Sequence, residues 1–196
     1  MENPERSSFR HRPAVVGCLL AVLAVASLGP GIAIAVAAGE GKATEVRLTG
    51  DETLMVSCIN AERREKGLPI LSVDPVLVVA ARQHSADMAA RGFFSHVTPA
   101  PSPRTPLDRY AAALGRQPRT VVGENLGCCD SPMMGLIHSE MMESREHRAN
   151  ILDREYVSVG VGIYVLPDGR VWVTQMFRGE LPRVVETPSS GSPQTR

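Results

Sequence analysis

The first part of the folded chain carries apolar residues three or four positions apart, the spacing of an amphipathic helix. This pattern predicts one helix that Thr49 or Asp51 caps and Gly67 ends, and a second helix that opens on Asp74–Pro75. Asp74 can accept hydrogen bonds as the N-cap, and proline suits the first helical position because the N–H that it lacks would be unpaired there. The second helix is therefore the best defined element of the sequence.

The pattern changes to alternation further along the chain. Residues 157–165 alternate valine or isoleucine with serine, glycine or tyrosine, which predicts a strand. Residues 167–169, Pro-Asp-Gly, then predict a tight turn into a second strand over residues 171–177. Because helices come first and this hairpin comes last, the predicted fold class is α+β, with a largely antiparallel sheet covered by helices.

Prolines interrupt the chain between these two parts. They are frequent from Phe93 to Val122, which predicts an irregular excursion with one short helix around residues 107–114. A third helix is predicted over residues 132–143, and a helical turn over residues 150–152. Long irregular segments of this kind often carry functional residues.

The N-terminal 38 residues are typical of an export segment. Basic residues between positions 6 and 12 precede an apolar run over residues 14–38 that ends in small residues, so we expect a signal peptide cleaved near Ala37 or Ala38. The alternative is an uncleaved membrane anchor, since a helix of this length would span a bilayer of ~30 Å. Residues 39–48 then form a predicted linker, residues 49–183 the domain and residues 184–196 a disordered tail, because both short stretches are small and polar.

The composition narrows the classes of partner. The 21 basic and 21 acidic residues give a net charge of zero, so the chain has no positive excess with which to bind nucleic acid. Aromatic residues make up only 4% of the chain. The predicted core is therefore mostly aliphatic, with Phe93, Phe94, Trp172 and Phe177 as its few large side chains.

Three cysteines would remain after cleavage, Cys58, Cys128 and Cys129, and this odd number leaves at least one thiol unpaired. A disulfide from Cys58 to one of the adjacent pair and a vicinal disulfide between the pair are both open. Cys58 also lies on the apolar side of the first predicted helix and is equally well explained as a small buried residue. The spacing does not match a zinc cluster of cysteines.

Several short segments follow one another in a recognisable order. They are Asn60-x-x-Arg63, Asp74-Pro75, Phe94-Ser95-His96, Gly123-Glu124-Asn125, Ser144-x-x-His147-Arg148-x-Asn150, Val159-Gly160-Val161-Gly162 and Trp172-Val173-Thr174-Gln175-x-Phe177. Together they resemble the bacterial branch of the CAP superfamily, which comprises SCP-like domains, cysteine-rich secretory proteins, antigen 5 and pathogenesis-related proteins.

The resemblance implies a three-layer α-β-α sandwich with a central, mostly antiparallel sheet and a broad cleft. Family members carry two histidines and two acidic residues in that cleft, and in some of them the imidazoles bind zinc. By resemblance, His96 and His147 are the two histidines and Glu124 is one of the acids. Ser144 stands where the second acid would fall, so the tetrad is incomplete and Glu143 is only a weaker candidate.

Two neutral imidazoles and one carboxylate are a competent ligand set for zinc, so His96, His147 and Glu124 are the expected metal ligands. The alternative for His147 is a surface histidine at a helix start, and for Glu124 a buried carboxylate that orders the proline-rich excursion. His84 lies on the inward side of its helix and is better explained as a core histidine than as a catalytic partner of Asp87.

These observations favour an exported, noncatalytic binding module of the cell envelope. Its expected ligand is a metal ion, a lipid or other apolar molecule, or a wall polymer, and contact with a membrane is expected only if the N-terminal segment stays uncleaved. One alternative is a zinc-dependent hydrolase in which His96 and His147 hold the metal and Glu124 is a ligand or general base. Another is a structural envelope protein tethered by an N-terminal transmembrane helix. The sequence leaves the oligomeric state open.

Overall fold

The computed structural model describes residues 33–35 and 45–181. Within them, five helices and six strands follow one another. They are β1 (Ala33–Ala35), β2 (Glu45–Arg47), α1 (Gly50–Glu65), β3 (Ser72–Val73), α2 (Pro75–Arg91), α3 (Pro106–Leu114), β4 (Thr120–Cys129), α4 (Met134–Glu143), α5 (Arg145–Ile151), β5 (Tyr156–Val165) and β6 (Val171–Glu180).

Four of the strands form the central sheet, in the order β3-β5-β6-β4. Strand β6 pairs antiparallel with both of its neighbours, and only the two-residue β3 runs parallel to β5. The predicted α+β class and the mostly antiparallel sheet are therefore confirmed. Strands β1 and β2 pair antiparallel with each other and form a separate small sheet.

The helices cover both faces of the central sheet and complete the three layers. Strand alternation divides the core, because neighbouring residues of β6 point to opposite faces. Phe177 packs with side chains of α1, α4 and α5, whereas Met176 packs with side chains of α2 and α3. Residues on β4 and β6 are divided between the same two faces.

Local chemistry sets the helix starts that the sequence predicts. Thr49 forms a capping box with Glu52 at the start of α1, and the Asp74 carboxylate accepts hydrogen bonds from the first turn of α2. Arg63, which is fully buried, donates hydrogen bonds to the carbonyl oxygens of Pro69, Ile151 and Asp153. These bonds connect α1 to the loop that follows it, to the end of α5 and to the loop before β5.

Several expected boundaries differ from the structure. The irregular excursion ends at residue 119 and not at Val122, because Thr120–Cys129 forms the long strand β4, which contains Glu124. Helix α5 begins at Arg145, five residues before the predicted turn, because the Ser144 hydroxyl caps it by accepting from the His147 amide. Phe94 is 42% exposed and is not a core anchor.

The predicted linker over residues 39–48 is also partly structured. Its residues Glu45–Arg47 form β2, Val46 is buried, and Arg82 of α2 donates a hydrogen bond to the Arg47 carbonyl oxygen. Ala33–Ala35, inside the predicted export segment, form β1. The rest of that segment and the predicted tail beyond residue 181 lie outside the described residues. In the part of the chain that the structure describes, no helix is long and apolar enough to cross a membrane.

Candidate functional site

Glu124 lies at the centre of the candidate site. It points from β4 towards the face that α2 and α3 cover, and its side chain is only 1% exposed. An unpaired carboxylate in such a place would be strongly destabilising, so its partners decide whether it can remain ionised.

Both carboxylate oxygens of Glu124 have partners. Oε1 lies 2.9 Å from Nδ1 of His96, and Oε2 accepts a hydrogen bond of 2.5 Å from Nη2 of Arg109. Arg109 is itself buried and also donates to the carbonyl oxygen of His96 at 3.1 Å. The arginine therefore neutralises the carboxylate and fixes the backbone beside the histidine.

His84 and Thr98 form a second layer beneath Glu124. The His84 Nε2 atom lies 3.2 Å from the Ser95 carbonyl oxygen and 3.9 Å from Oε1 of Glu124. The Thr98 hydroxyl accepts a hydrogen bond from Arg109 at 3.0 Å. Burial lowers the pKa of His84 to about 4 against the attraction of Glu124, so His84 is a neutral buried imidazole near pH 7.

His147 reaches the same region from the opposite face of the sheet, on α5. Its carbonyl oxygen accepts from the Asn125 amide at 3.0 Å, and Asn150 donates to Oδ1 of Asn125 at 2.8 Å. Burial and the nearby charge of His96 both lower the pKa of His147. His147 is therefore within electrostatic reach of His96.

The free nitrogen atoms of the two histidines differ in their exposure. His96 is 53% exposed, and its Nδ1 atom is directed to Glu124, which leaves Nε2 for another partner. The Nδ1 atom of His147 is buried without a hydrogen-bond partner among residues 33–35 and 45–181. The site thus presents two imidazoles whose ring nitrogens are not all used by the protein.

The expected residues are only partly brought together. His96 and Glu124 are in direct contact, and His147 lies near His96. Glu143 is exposed at the end of α4, and its side chain forms no hydrogen bond or ion pair within the described residues. Over the same residues, no group of three or more His, Cys, Asp and Glu side chains is arranged to hold a metal ion.

Comparison with known proteins identifies the family of this chain. Residues 56–177 match the model of the CAP family, described as the cysteine-rich secretory protein family. The chain belongs to this family.

The relatives of this CAP domain include bacterial proteins. It is 34% identical over 129 residues to the uncharacterized protein YkwD of Bacillus subtilis (strain 168), a match that covers 66% of the chain and 47% of the relative. The chain thus spans about half the length of the curated relative that it matches.

Solved structures that share the fold include two bacterial proteins. One is an extracellular protein containing an SCP domain from Bacillus anthracis, with a TM-score of 0.58 and 26% identity, covering 67% of this chain and 41% of that one. The other is an outer surface protein from Borrelia burgdorferi, with a TM-score of 0.61 and 15% identity, covering 69% of this chain and 97% of that one. The first neighbour is an extracellular protein, and the second supports the CAP fold alone.

Sequence reasoning did not find Arg109 as part of the site. Arg109 lies on the short helix α3 inside the proline-rich excursion, and nothing in its local pattern separates it from a solvated arginine. The sequence predicts that His84 is an inward-facing core residue, but its closeness to Glu124 depends on how α2 packs on β5 and β6. Arg109 and His84 lie on separate elements. They can be assigned to one site only because the structure shows both of them beside the carboxylate of Glu124.

The cysteines of the CAP domain take no part in the site. Cys58, Cys128 and Cys129 are all free thiols. Cys128 and Cys129 are neighbours on β4 and pack on opposite faces of the sheet, one beside Trp172 and the other beside the α1–α4 core. Alternation along a strand therefore keeps these two thiols apart.

Proposed function

We propose that this protein is an exported, noncatalytic binding module that holds its ligand at the imidazoles of His96 and His147. The observation that carries the proposal is that protein side chains occupy both carboxylate oxygens of Glu124. Both of its oxygens are bound by His96 and Arg109, and the side chain is buried. A carboxylate held in this way orients the histidine and is not free to act as a general base.

Zinc fits the imidazole donors of this site, and His96 and His147 are the residues that would hold it. Histidines that bind a metal commonly direct their other ring nitrogen to a carboxylate, which is the relation of His96 to Glu124. Catalytic zinc sites have three protein ligands, and Glu124 in its present contacts does not supply the third. Zinc bound here would offer coordination positions to a polar group of the ligand.

An apolar rim favours a ligand with a hydrophobic part. Phe94 and Val97, on either side of His96 in sequence, are 42% and 46% exposed. Exposed large apolar side chains beside a polar site are typical of ligand-binding surfaces. We therefore expect a lipid, another apolar molecule or a wall polymer to contact this rim. The extracellular Bacillus anthracis neighbour supports an extracytoplasmic location, and the cell envelope is the place that we propose.

Zinc binding by the metal-free protein tests the proposal. We expect calorimetric titration with zinc chloride to show binding that His96→Ala and His147→Ala each weaken at least about tenfold. Glu124→Gln should weaken zinc by about ten- to hundredfold, because supporting carboxylates have effects of this size. Glu143→Gln is the matched control and should bind zinc as the unmodified protein does.

Two results would contradict the proposal. Equal zinc affinity in the unmodified protein and both histidine variants, with all three folded by circular dichroism, would remove the imidazoles from the site. Hydrolysis of a peptide, ester or glycan substrate that disappears in His96→Ala would show catalysis and replace the binding module with the hydrolase.

A further inference from the structure

A groove of about 520 Å³ lies where the end of α3, the start of β4 and the end of β6 meet. Three of its lining residues are arginines, Arg116, Arg119 and Arg178. The remaining lining residues are Tyr110, Leu114, Gln117, Pro118 and Thr120. We call this surface the arginine groove.

The arginine groove is separate from the histidine site. Two neighbouring residues of α3 belong to different sites. Arg109 binds Glu124 in the histidine site, whereas Tyr110 lines the arginine groove. The Tyr110 hydroxyl donates to Oδ2 of Asp74 at 3.1 Å, and Nε of Arg178 donates to the same oxygen at 3.1 Å. These bonds hold the floor of the groove in place.

The two other arginines are exposed and unengaged. Within residues 33–35 and 45–181, the side chains of Arg116 and Arg119 form no hydrogen bond and no ion pair. The chain as a whole has no net charge, so this concentration of guanidinium groups is a local feature and not a consequence of a basic protein. Groups of this kind raise the local concentration of anions.

The negative groups around the groove do not balance the arginines. Asp74 offsets Arg178, and the C-terminal end of α3 carries a partial negative charge of roughly half a unit. Burial and Asp74 raise the pKa of Tyr110 to about 12, so its hydroxyl is neutral, while Arg116 and Arg178 are near enough to oppose that shift. Glu180 lies opposite Thr120 in the strand register but does not line the groove. The groove therefore keeps a positive excess.

We propose that the arginine groove binds a phosphate monoester, with the phosphate held between Arg116 and Arg119. The planar guanidinium group matches phosphate oxygens with paired hydrogen bonds, and Arg116 and Arg119 line one groove without protein partners among the described residues. The volume is that of a site for a small organic molecule, which exceeds the needs of an inorganic ion. Leu114 and Pro118 give the organic part an apolar wall.

Two probes that carry the same phosphate monoester test the proposal. One is a free solute and the other is a lipid headgroup, so the comparison also identifies the kind of ligand. Glycerol 3-phosphate presents a phosphate monoester as a free solute, and its binding to the purified exported protein can be followed by calorimetry at low salt. Phosphatidic acid in phosphatidylcholine vesicles presents the same group as a lipid headgroup, and its binding can be followed by sedimentation. Binding in either arm supports the proposal, and the arm that binds shows whether the ligand is a solute or a lipid.

A matched pair of double variants separates the groove from general charge. We expect Arg116→Gln/Arg119→Gln to lose at least about tenfold in affinity, since charge-assisted hydrogen bonds are removed. Arg64→Gln/Arg154→Gln changes the net charge equally at exposed arginines outside the groove and should bind as the unmodified protein does.

The result is independent of the histidine site, so His96→Ala should also keep its phosphate binding. Absence of binding to both probes, or an equal loss in the two double variants, would overturn the proposal. Because all four arginines are exposed, thermal unfolding should be similar in the two double variants.

Discussion

At the scale of single residues, the site depends on how one buried carboxylate is compensated. Glu124 is ion-paired with Arg109 and hydrogen-bonded by His96, so its carboxylate has partners on both oxygens without contact with solvent. Buried ion pairs add little net stability, but removing one partner leaves an uncompensated charge. The cluster therefore fixes the position of His96 more than it stabilises the fold.

His84 gives this cluster a pH dependence. Its pKa is lowered from 6.5 to about 4 because burial opposes the charged form. The unfolded chain binds a proton on His84 below about pH 6.5 that the folded protein does not bind until about pH 4, so stability should fall across this interval as the pH is lowered. The expected loss is on the order of 3 kcal/mol.

Urea unfolding at pH 7 and pH 4.5 checks this expectation. His84→Gln keeps a group that can donate to the Ser95 carbonyl oxygen but cannot titrate, so its stability should change less between the two pH values. Burial also lowers the pKa values of His138 and His147. The stability of His84→Gln should therefore still fall with decreasing pH, but less steeply than that of the unmodified protein. Identical pH slopes in the unmodified protein and in His84→Gln would contradict this role.

At the scale of elements, the contact between α2 and β5 depends on two glycines. A Cβ atom on Gly160 would lie 2.4 Å from the backbone of Leu77, and one on Gly162 would lie 2.1 Å from the amide nitrogen of Arg82. The helix therefore rests directly on the strand. Ser85 of α2 secures the contact by donating to the Gly162 carbonyl oxygen at 2.9 Å.

Gly162→Ala should destabilise the protein by about 3 kcal/mol or more, because the added methyl group meets backbone that cannot move independently. Gly135→Ala is the control. It lies in α4 with open space around its Cα, and alanine there should stabilise the helix by about 0.5–1 kcal/mol. Urea unfolding of both variants gives the comparison, and a near-zero effect of Gly162→Ala would show that α2 does not pack as described.

At the scale of the whole molecule, the domain is built without the N-terminal segment. The central sheet and its helices use residues from Gly50 onwards, whereas β1 pairs only with β2 among the described strands. Removal of the residues before position 39 would remove β1 and leave the four-stranded sheet and both sites intact. Export followed by cleavage is therefore compatible with the fold.

Expression with export in a bacterial host tests the N-terminal segment. We expect the recovered protein to begin at Ala38 or Gly39, because the small residues before them suit a signal peptidase. N-terminal sequencing and mass measurement of the secreted fraction give the answer. Intact protein that begins at Met1 and sediments with membranes would instead show the uncleaved anchor.

The sequence by itself determined the elements whose signals are local. The Asp74–Pro75 start of α2, the Pro-Asp-Gly turn of the hairpin and the alternation over β5 depend on neighbouring residues, so the helices and the hairpin could be predicted. The ordered motifs also identified the family, and with it the layers of the fold and the candidate residues His96, Glu124 and His147.

Only the tertiary structure decided which groups meet. Arg109, His84 and His96 come from separate segments and surround Glu124 because α2, α3 and the proline-rich excursion pack on one face of the sheet. The arginine groove likewise joins Arg116 and Arg119 to Arg178, far along the chain. Such contacts depend on long-range packing that leaves no periodic trace in sequence, whereas helices, turns and strands are encoded by the spacing of near neighbours.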